Sequence, residues 1–508
     1  MRPLFWLLAA ATLPTLLTVS AAFAAPAAAS VALATTGVVP AAAVATVTAL
    51  TAAGSALAMA AGPTGMAAAP ADCTAASASD FNGDGVDDTV VGDPFASPGG
   101  RSGAGAAHVL FGRGESGAVV TSPEVKAGDG FGWSARLAHL DADRCADLLI
   151  GAPYTDVAGR QDAGAVYAVY GGPQQRTVRM AAPEPEADAH FGWSLAAGGT
   201  LVAVGAPHEN ADGVADAGAV YLFETGALDT AKKISQGNGG VAGNSEAGDM
   251  FGWSLEIGRL NGDGAELDLA VGAPYENDDG IGRQVNAGKL DAGSITTIFD
   301  VRGAGDTYAS KKWDFNEIPD PDPDDGFGEA GDRFGYAMAY AEEGDTRYLA
   351  VSAPLGDGAS VKDSGLVQLF QSSGTAAMAP SATFDQGPEG VTGDGYGFSL
   401  ALTGEGGARM AVGVPFDGPD RRGGVHLVPV GDASQARMIN QSEPGDHLGW
   451  SVAFSGNRLV IGAPDRGASG TVLLLGRNDT DGIPLSPGAG KIPALNGGAS
   501  ADFGAAVS

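Results

Sequence analysis

Short apolar runs recur along the chain, and each leads into a Gly-Ala-Pro triplet or a close variant of it. The seven runs are TVV, DLLI, LVAV, LDLAV, YLAV, RMAV and RLVI. Unbroken apolar runs rich in β-branched residues are typical of strands that are buried on both faces. Gly permits positive φ and Pro lacks a backbone donor, so each predicted strand ends at the triplet.

Two further elements accompany every run. An alternating segment such as AGAVYAVYG, AGAVYLFE or SGLVQLF follows after a Gly-rich loop, and predicts a second strand. An aromatic-Gly pair, or a weaker form of it, also recurs seven times. The pairs begin at Phe131, Phe191, Phe251, Phe334, Tyr396, Leu448 and Phe503. The triplets begin at Gly92, Gly151, Gly205, Gly272, Ser352, Gly413 and Gly462.

The spacing of these elements predicts an all-β propeller. They repeat every 49 to 83 residues, as expected of stacked supersecondary units that bury their faces on one another. No aromatic-Gly pair precedes the first unit, whereas the pair at Phe503 has no triplet after it. We therefore expect seven blades, with the C-terminal segment pairing into blade 1.

The combination of the aromatic-Gly pair, the Gly-Ala-Pro triplet and D-x-N-G-D-G between them resembles the FG-GAP repeat. That repeat builds the seven-bladed propeller of integrin α-subunit heads and of related bacterial secreted proteins. The resemblance covers roughly residues 73–508. It implies a ligand-binding module that holds cations in the loops of its blades.

The N-terminal region has the order of features of a secretory signal. Arg2 is followed by an apolar segment and by Ala22-Phe23-Ala24, which predicts a signal peptide over 1–24 and a secreted, extracellular protein. Residues 25–72 form an Ala-rich segment that we interpret as a low-complexity linker. A membrane span over 41–61 is the alternative, but Ala contributes little transfer energy and Pro and Gly interrupt the segment.

Charge excludes one class of partner. Apart from Arg2, every charged residue lies beyond Ala71, and the whole chain has a net charge of −32. Such a field repels phosphate backbones and anionic lipid surfaces, so we expect neither nucleic acid nor an anionic membrane as a partner. We expect a monomer.

The sharpest chemical signal lies in the first unit. Asp80, Asn82, Asp84 and Asp88 place oxygen side chains at alternate positions around a Gly-rich turn. Such a turn can wrap a hard cation, and the resemblance to the FG-GAP cation loop points to the same residues. The prediction is a Ca²⁺ site with the carbonyl of Val86 as a further ligand. A turn that binds no ion is the alternative.

The equivalent loops of other blades depart from this pattern. Blade 4 offers Asn261, Asp263 and Asp268, but Arg259 stands where the first carboxylate should be, so we expect a weaker site. Blade 2 has a shorter loop with Cys145 in place of an acid. The remaining four loops carry no such pattern and are predicted to be plain hairpins.

The two cysteines, Cys73 and Cys145, are expected to form a disulfide, because cysteines of an exported chain more often pair than stay free. A catalytic thiol is the alternative, but no His lies nearby in the sequence. The recurring Trp residues of FGWS and LGWS are interpreted as packing between blades, with a sugar-binding platform as the alternative. Residues 275–332 form the longest insertion, which is acidic, and an insertion of this kind often lies on a binding face.

Two function classes remain. The first is an exported calcium-binding propeller that binds a protein or glycan ligand, as the resemblance to integrin α implies. The second is a secreted hydrolase of the esterase or phospholipase type that uses the propeller as a scaffold. The sequence lacks the motifs H-E-x-x-H, G-x-S-x-G and a phosphate-binding loop, and shows no separate catalytic domain, which favours the first class.

Overall fold

The structure is a computed structural model. It describes residues 73, 77–112, 116–172, 176–262, 266–277, 288–303, 305, 307–319, 328–358, 361–418, 420–490 and 492–508. The predicted signal peptide, the whole of the predicted linker, the alternative membrane span and Asp263 lie outside these residues. Within the described parts of the chain, no helix is long and apolar enough to cross a membrane.

Seven four-stranded antiparallel sheets make up the described chain, and each sheet is one blade of a propeller. Blade 1 contains β1 (Thr89–Asp93), β2 (Ala106–Phe111), β3 (Ser116–Val120) and β28 (Ala506–Val507). Blade 2 contains β4 (Ala135–Ala138), β5 (Asp147–Ala152), β6 (Ala165–Val169) and β7 (Thr177–Met180). Blade 3 contains β8 (Leu195–Gly198), β9 (Leu201–Ala206), β10 (Ala219–Glu224) and β11 (Ala227–Ile234).

The remaining blades repeat this order along the chain. Blade 4 contains β12 (Ser254–Gly258), β13 (Asp268–Ala273), β14 (Ser294–Phe299) and β15 (Ala309–Trp313). Blade 5 contains β16 (Met338–Glu343), β17 (Thr346–Ala353), β18 (Leu366–Ser373) and β19 (Ala379–Phe384). Blade 6 contains β20 (Ser399–Thr403), β21 (Arg409–Val414), β22 (Gly424–Pro429) and β23 (Arg437–Ile439). Blade 7 contains β24 (Ser451–Ser455), β25 (Arg458–Ala463), β26 (Thr471–Leu475) and β27 (Ile483–Leu485).

Helical structure in the described residues is limited to four 3₁₀ turns. These are Pro98–Gly100, Ala211–Gly213, Gly387–Glu389 and Ala433–Gln435. The prediction of an all-β, seven-bladed propeller is therefore confirmed.

Ring closure also follows the prediction. The C-terminal strand β28 pairs antiparallel with β1, through Val91 with Val507 and Gly92 with Ala506. Ser508 extends the pairing, because it exchanges backbone hydrogen bonds with Val90 at 2.9 and 3.1 Å. Blade 1 is thus assembled from both ends of the propeller sequence.

The aromatic-Gly pair joins neighbouring blades. The backbone N–H of its first residue donates to a carbonyl of the preceding blade, as Phe131 does to Ala104 at 3.1 Å. The N–H of its Gly donates to the triplet of its own blade, as Gly132 does to Gly151 at 3.0 Å. Both bonds recur at all seven blades, including blade 1, where Phe503 and Gly504 bond to Ser469 and Gly92. The first side chain of each pair is fully buried.

Close backbone approach explains why two of these positions are Gly. A Cβ on Gly151 would lie 2.1 Å from the carbonyl oxygen of Gly192 and 2.2 Å from the hydroxyl of Ser134. Gly132 has a φ of +95°, and a Cβ there would lie 2.3 Å from the carbonyl of Ala106. The Ser134 hydroxyl itself donates to the Gly192 carbonyl at 2.8 Å, across the interface between blades 2 and 3.

The hydrophobic core is divided among the interfaces between blades. One cluster joins Leu149 and Val166 of blade 2 to Phe191, Val202 and Val204 of blade 3. The second strands are buried along nearly their whole length, as predicted from their unbroken apolar runs. Each blade thus buries its two faces on its neighbours, and none is independent of the ring.

The prediction of a long insertion over 275–332 is wrong for the part of that segment that forms strands. These are β14 and β15, the third and fourth strands of blade 4, in which Ile295 to Phe299 pair antiparallel with Trp313 to Ala309. The alternating polar and apolar residues of these strands suit a half-buried sheet. Residues 278–287 and 320–327, which hold six of the 14 acidic residues of this segment, lie outside the described residues.

Candidate functional site

The predicted cation loop lies where the incoming chain meets β1, on the face opposite the aromatic-Gly pairs and triplets. Asp80 and Asp88 are fully buried, whereas Asp84 is exposed. The Asp80 carboxylate accepts the backbone N–H groups of Gly83, Asp84 and Gly85 at 2.6 to 3.1 Å. These bonds hold the chain in one tight turn around Asp80.

The closing carboxylate of the loop joins two strands. Asp88 accepts the N–H groups of Phe81 at 3.0 Å and Asn82 at 3.2 Å through one oxygen. Its other oxygen accepts the N–H of Gly112, which follows the third strand of the blade, at 2.9 Å. Burial raises the pKa of the Asp88 carboxyl to about 7 and also raises that of Asp80.

The same role recurs in blades 2 and 4. Asp147 accepts the N–H of Leu140 at 2.6 Å and that of Gly171 at 2.9 Å. Asp268 accepts the N–H of Leu260 at 2.6 Å and that of Asp300 at 2.8 Å. Sequence reasoning considered Asp88 and Asp268 only as candidate cation ligands and did not single out Asp147. In the structure each of the three connects the start of its loop to the end of the third strand.

The oxygen donors of the first loop are of the type that binds a hard cation. Asp80, Asn82, Asp84 and Asp88 lie in one turn, and a carboxylate oxygen that accepts an N–H group keeps a lone pair for a metal. The carboxylates of the loop do not converge on one point. The side-chain amide of Asn82 instead donates to the Asp84 carboxylate at 3.0 Å. Among the described residues, only one group of Asp, Glu, His or Cys side chains brings three possible ligand atoms within 4.8 Å of one another. It consists of Cys73, Asp143 and Cys145.

Those two cysteines form a disulfide, with Cα atoms 5.1 Å apart, as predicted. The bond ties the chain before the cation loop to blade 2. Ala146 N donates to Asp80 O at 2.8 Å and Gly172 N donates to Phe81 O at 2.9 Å, so the loop itself also contacts blade 2.

Blade 7 holds the other side of the loop. The Arg458 guanidinium donates to the carbonyl of Gly112 and, at 2.6 Å, to the carbonyl of Asp87. Ser455 donates its hydroxyl to the carbonyl of Asp88 at 2.8 Å. The cation loop therefore lies at the seam where the ring closes.

A second candidate region lies on the opposite face, around the propeller axis. The residue after each aromatic-Gly pair precedes the first strand of its blade, and the first strands of neighbouring blades lie against one another. Six of the seven residues at this position are aromatic. They are Trp133, Trp193, Trp253, Tyr336, Phe398 and Trp450, and we call them the axial aromatic arc.

Consecutive rings of the arc are in contact. The ring centroids of neighbouring blades are 4.8 to 5.6 Å apart, with tilts of 45 to 50°. Blade 1 interrupts the arc, because Ala505 stands at its position. Packing between blades, predicted for the Trp residues, is confirmed. Sequence reasoning missed Tyr336 and Phe398, although their position after the pair could have identified them.

A second set of rings surrounds the arc. These residues follow the Pro of five of the seven triplets, and their ring centroids lie 5.4 to 6.3 Å from those of the arc. They are Phe95, Tyr154, His208, Tyr275 and Phe416. Five of the six arc rings remain partly exposed, and Phe95 is exposed. The face thus presents aromatic surface to solvent around its axis.

A pair of charged side chains lies further along the first strands than the aromatic arc. Arg136 of blade 2 donates to Glu256 of blade 4 at 3.2 Å, although blade 3 lies between them. The corresponding residue of blade 3 is Ala196, which is too small to separate them. Burial raises the pKa of the Glu256 carboxyl even though Arg136 acts to lower it. This ion pair links blades 2 and 4 directly.

Comparisons with known proteins agree with this geometry. Models of the FG-GAP repeat match residues 131–169 and 175–223. Integrin alpha-PS2 of Drosophila melanogaster is 31% identical over 217 residues, which is 39% of this chain and 15% of that protein. Integrin alpha-5 of Xenopus laevis is 33% identical over 214 residues, which is 39% of this chain and 19% of that protein.

One similar protein belongs to a different class. Human phosphatidylinositol-glycan-specific phospholipase D is 35% identical over 104 residues, which is 20% of this chain and 12% of that protein. The chain thus spans less than a fifth of the length of each of these relatives. It carries FG-GAP repeats and resembles integrin α chains over part of its length.

Proposed function

We propose that this FG-GAP propeller is an exported, calcium-binding module that binds a protein partner through the axial aromatic arc. The observation that carries the proposal is the arc itself, in which five of the six contacting rings are partly exposed. Large aromatic side chains that stay accessible at one site are the usual anchors of protein recognition. The similarity to integrin α chains supports a ligand-binding module in general.

Charge favours a basic side chain on the partner. The chain has a net charge of −32, and buried Asp residues stand two positions before the aromatic-Gly pairs of five blades. Aromatic faces and carboxylates together attract cations. Two arginines of the chain already use this chemistry on this face, because Arg333 lies 4.7 Å from the ring centroid of Tyr275 and Arg421 lies 5.6 Å from that of Phe416.

Calcium has a structural role in this proposal. Asp80, Asn82, Asp84, Asp88 and the carbonyl of Val86 would hold the ion. Bound there, it would offset the charge of two buried carboxylates at the seam of the ring. The partner site lies on the opposite face, so calcium would stabilise the propeller and would not touch the partner.

Binding can be tested with peptide probes of defined charge. An Arg-rich peptide and a Glu-rich peptide of the same length would be titrated against the exported chain in calcium. We expect the Arg-rich peptide to bind and the Trp193→Ala variant to bind it about tenfold more weakly. Ile483→Ala removes an exposed apolar side chain from the outer strand of blade 7 and serves as the control.

Three outcomes would contradict this proposal. Equal affinity of Trp193→Ala and the unaltered chain would remove the arc as the contact surface. Binding of neutral glycans on an array, with no preference for the Arg-rich peptide, would indicate that the ligand is a glycan and not a protein. Hydrolysis of ester or phosphodiester substrates by the purified chain would favour the hydrolase instead.

A further inference from the structure

Buried aspartates recur beside the axial aromatic arc. They lie two positions before the aromatic-Gly pair in blades 2, 4, 5, 6 and 7, and each is at most 5% exposed. We call them the turn aspartates, and they are Asp129, Asp249, Asp332, Asp394 and Asp446. In the last four, one oxygen accepts the N–H of the residue three positions earlier at 2.7 or 2.8 Å.

Asp249 of blade 4 is fully buried and faces mainly other carboxylates. Its Oδ1 is buried and has no hydrogen-bond partner among the described residues. The groups that face it are Glu276, Glu246 and Lys312, but Lys312 lies 2.8 Å from Glu276 and is already engaged there. Burial, followed by repulsion from Glu276, raises the pKa of the Asp249 carboxyl.

Asp332 of blade 5 is also buried and faces carboxylates, which come from other loops. Asp357, Glu329 and Asp363 all face it. The nearby Lys362 binds Asp357 at 3.2 Å and Glu329 at 3.5 Å, and forms no ion pair with Asp332. Burial raises the pKa of the Asp332 carboxyl to about 7.

The turn aspartates of blades 2 and 6 are affected less strongly. Burial raises the pKa of Asp129 and of Asp394 to about 6. Asp129 faces Asp156 and Glu124, but also Lys126 and Arg179, which partly offset its charge. Asp394 faces Asp417 alone.

Blade 7 provides a natural contrast. Asp446 makes the same turn bond, but the Arg466 guanidinium lies 3.6 Å from its carboxylate. Among the described turn aspartates, Asp446 forms a direct ion pair, whereas Asp249 and Asp332 face mainly other carboxylates.

We propose that Asp249 and Asp332 make the aromatic face proton-sensitive, so that its loops tighten on mild acidification and loosen as both carboxyls ionise. Both aspartates lie in the turns that carry the arc, since Trp253 and Tyr336 are only four residues further along. Glu276 directly follows Tyr275, whose ring contacts Trp253 at 5.5 Å. Repulsion between Asp249 and Glu276 therefore acts on the ring contacts themselves.

The sign of the effect follows from proton linkage. Each carboxyl binds its proton more tightly in the folded chain than in the unfolded chain, where an Asp has a pKa near 3.8. The folded state thus holds more protons between about pH 4 and 8, and stability falls as pH rises through that range.

The test is thermal unfolding of the full chain at pH 6, 7 and 8 in saturating Ca²⁺ and at high salt, without any partner. Calcium holds the cation-loop carboxylates in one state, and salt screens the general surface repulsion. We expect the Tm to fall by several degrees from pH 6 to pH 8. Asp249→Asn and Asp332→Asn should each reduce that fall and raise the Tm at pH 8.

Two matched variants keep the test specific. Asp446→Asn changes the turn aspartate that has a cationic partner, and exposed Asp229→Asn makes the same change in net charge without burial. Neither should reduce the fall in Tm. A flat Tm in the unaltered chain, or an unchanged pH slope in both Asp249→Asn and Asp332→Asn, overturns the proposal whether or not any partner binds.

Discussion

Blade 1 and the six continuous blades reach the same four-stranded sheet by different routes. In blade 4 the first strand pairs with the second over five residues, from Ser254 to Gly258. In blade 1 the corresponding strand β28 comes from the C-terminus and pairs over only two residues. A continuous blade is held together by its own hairpins, whereas blade 1 must join two distant parts of the chain and bear the entropy of closing the ring.

Additional contacts at blade 1 compensate for its short closing strand. Asp93 stands where most other blades have Ala, and its carboxylate accepts the N–H groups of Ala501 at 3.2 Å and Asp502 at 3.0 Å. On the opposite face, Arg458 and the Cys73–Cys145 disulfide hold the cation loop to blades 7 and 2. The departures from the repeat are therefore concentrated at the seam, where the repeat alone gives the least support.

Removal of residues 501–508 should destabilise the closure at blade 1 more than any other change considered. The deletion takes away β28 and Phe503, which is fully buried, and leaves β1 as an open edge. We expect a loss on the order of 5 kcal/mol or more in the free energy of unfolding, since a buried Phe alone contributes about 3–5 kcal/mol. Urea unfolding of the truncated chain measures it. Melting equal to that of the full chain would show that closure contributes little.

Loss of the disulfide should have the next largest effect. Cys73 and Cys145 are 72 residues apart, so the bond restricts the unfolded chain substantially. We expect the Cys73→Ser, Cys145→Ser double variant to lose about 2–4 kcal/mol in the free energy of unfolding. Thiol titration of the denatured, unaltered protein supplies the control, and two free thiols there would contradict the bond.

Calcium removal should have the smallest of these effects on the stability of the seam. An ion held by the Asp80 to Asp88 loop stabilises the folded state by about 2.7 kcal/mol at a concentration one hundred times its Kd. Chelation should therefore lower the Tm of the unaltered chain, and Asp84→Ala should abolish most of that difference.

The exposed Asp229→Ala variant serves as the control for the loss of one carboxylate. It should keep the full response to the chelator. If Asp84→Ala also keeps that response, the assignment of the ion to this loop is wrong.

Much of the candidate site could be read from the sequence because it repeats. Seven aromatic-Gly pairs and seven triplets impose the same two backbone bonds at every interface, so recurrence alone was enough to predict the blades and their number. The disulfide was predicted from the count of cysteines and the expected export. The segment 275–332 was partly misread, because its two strands lie far along the sequence from the repeat elements on either side.

The local sequence by itself determined the strands and the turns, since hydrophobic periodicity and Gly and Pro positions act over a few residues. The closure of the ring followed from the balance of seven aromatic-Gly pairs and seven triplets over the whole chain. Only the tertiary structure decided what those elements bring together. The axial arc joins six rings that are 52 to 83 residues apart in sequence, and Arg136 meets Glu256 across an intervening blade. Asp249 is buried among carboxylates, whereas Asp446 is buried beside the Arg466 guanidinium. This difference depends on which charged side chains the neighbouring loops supply. Burial and long-range charge are properties of the packed ring, so no local pattern could have revealed them.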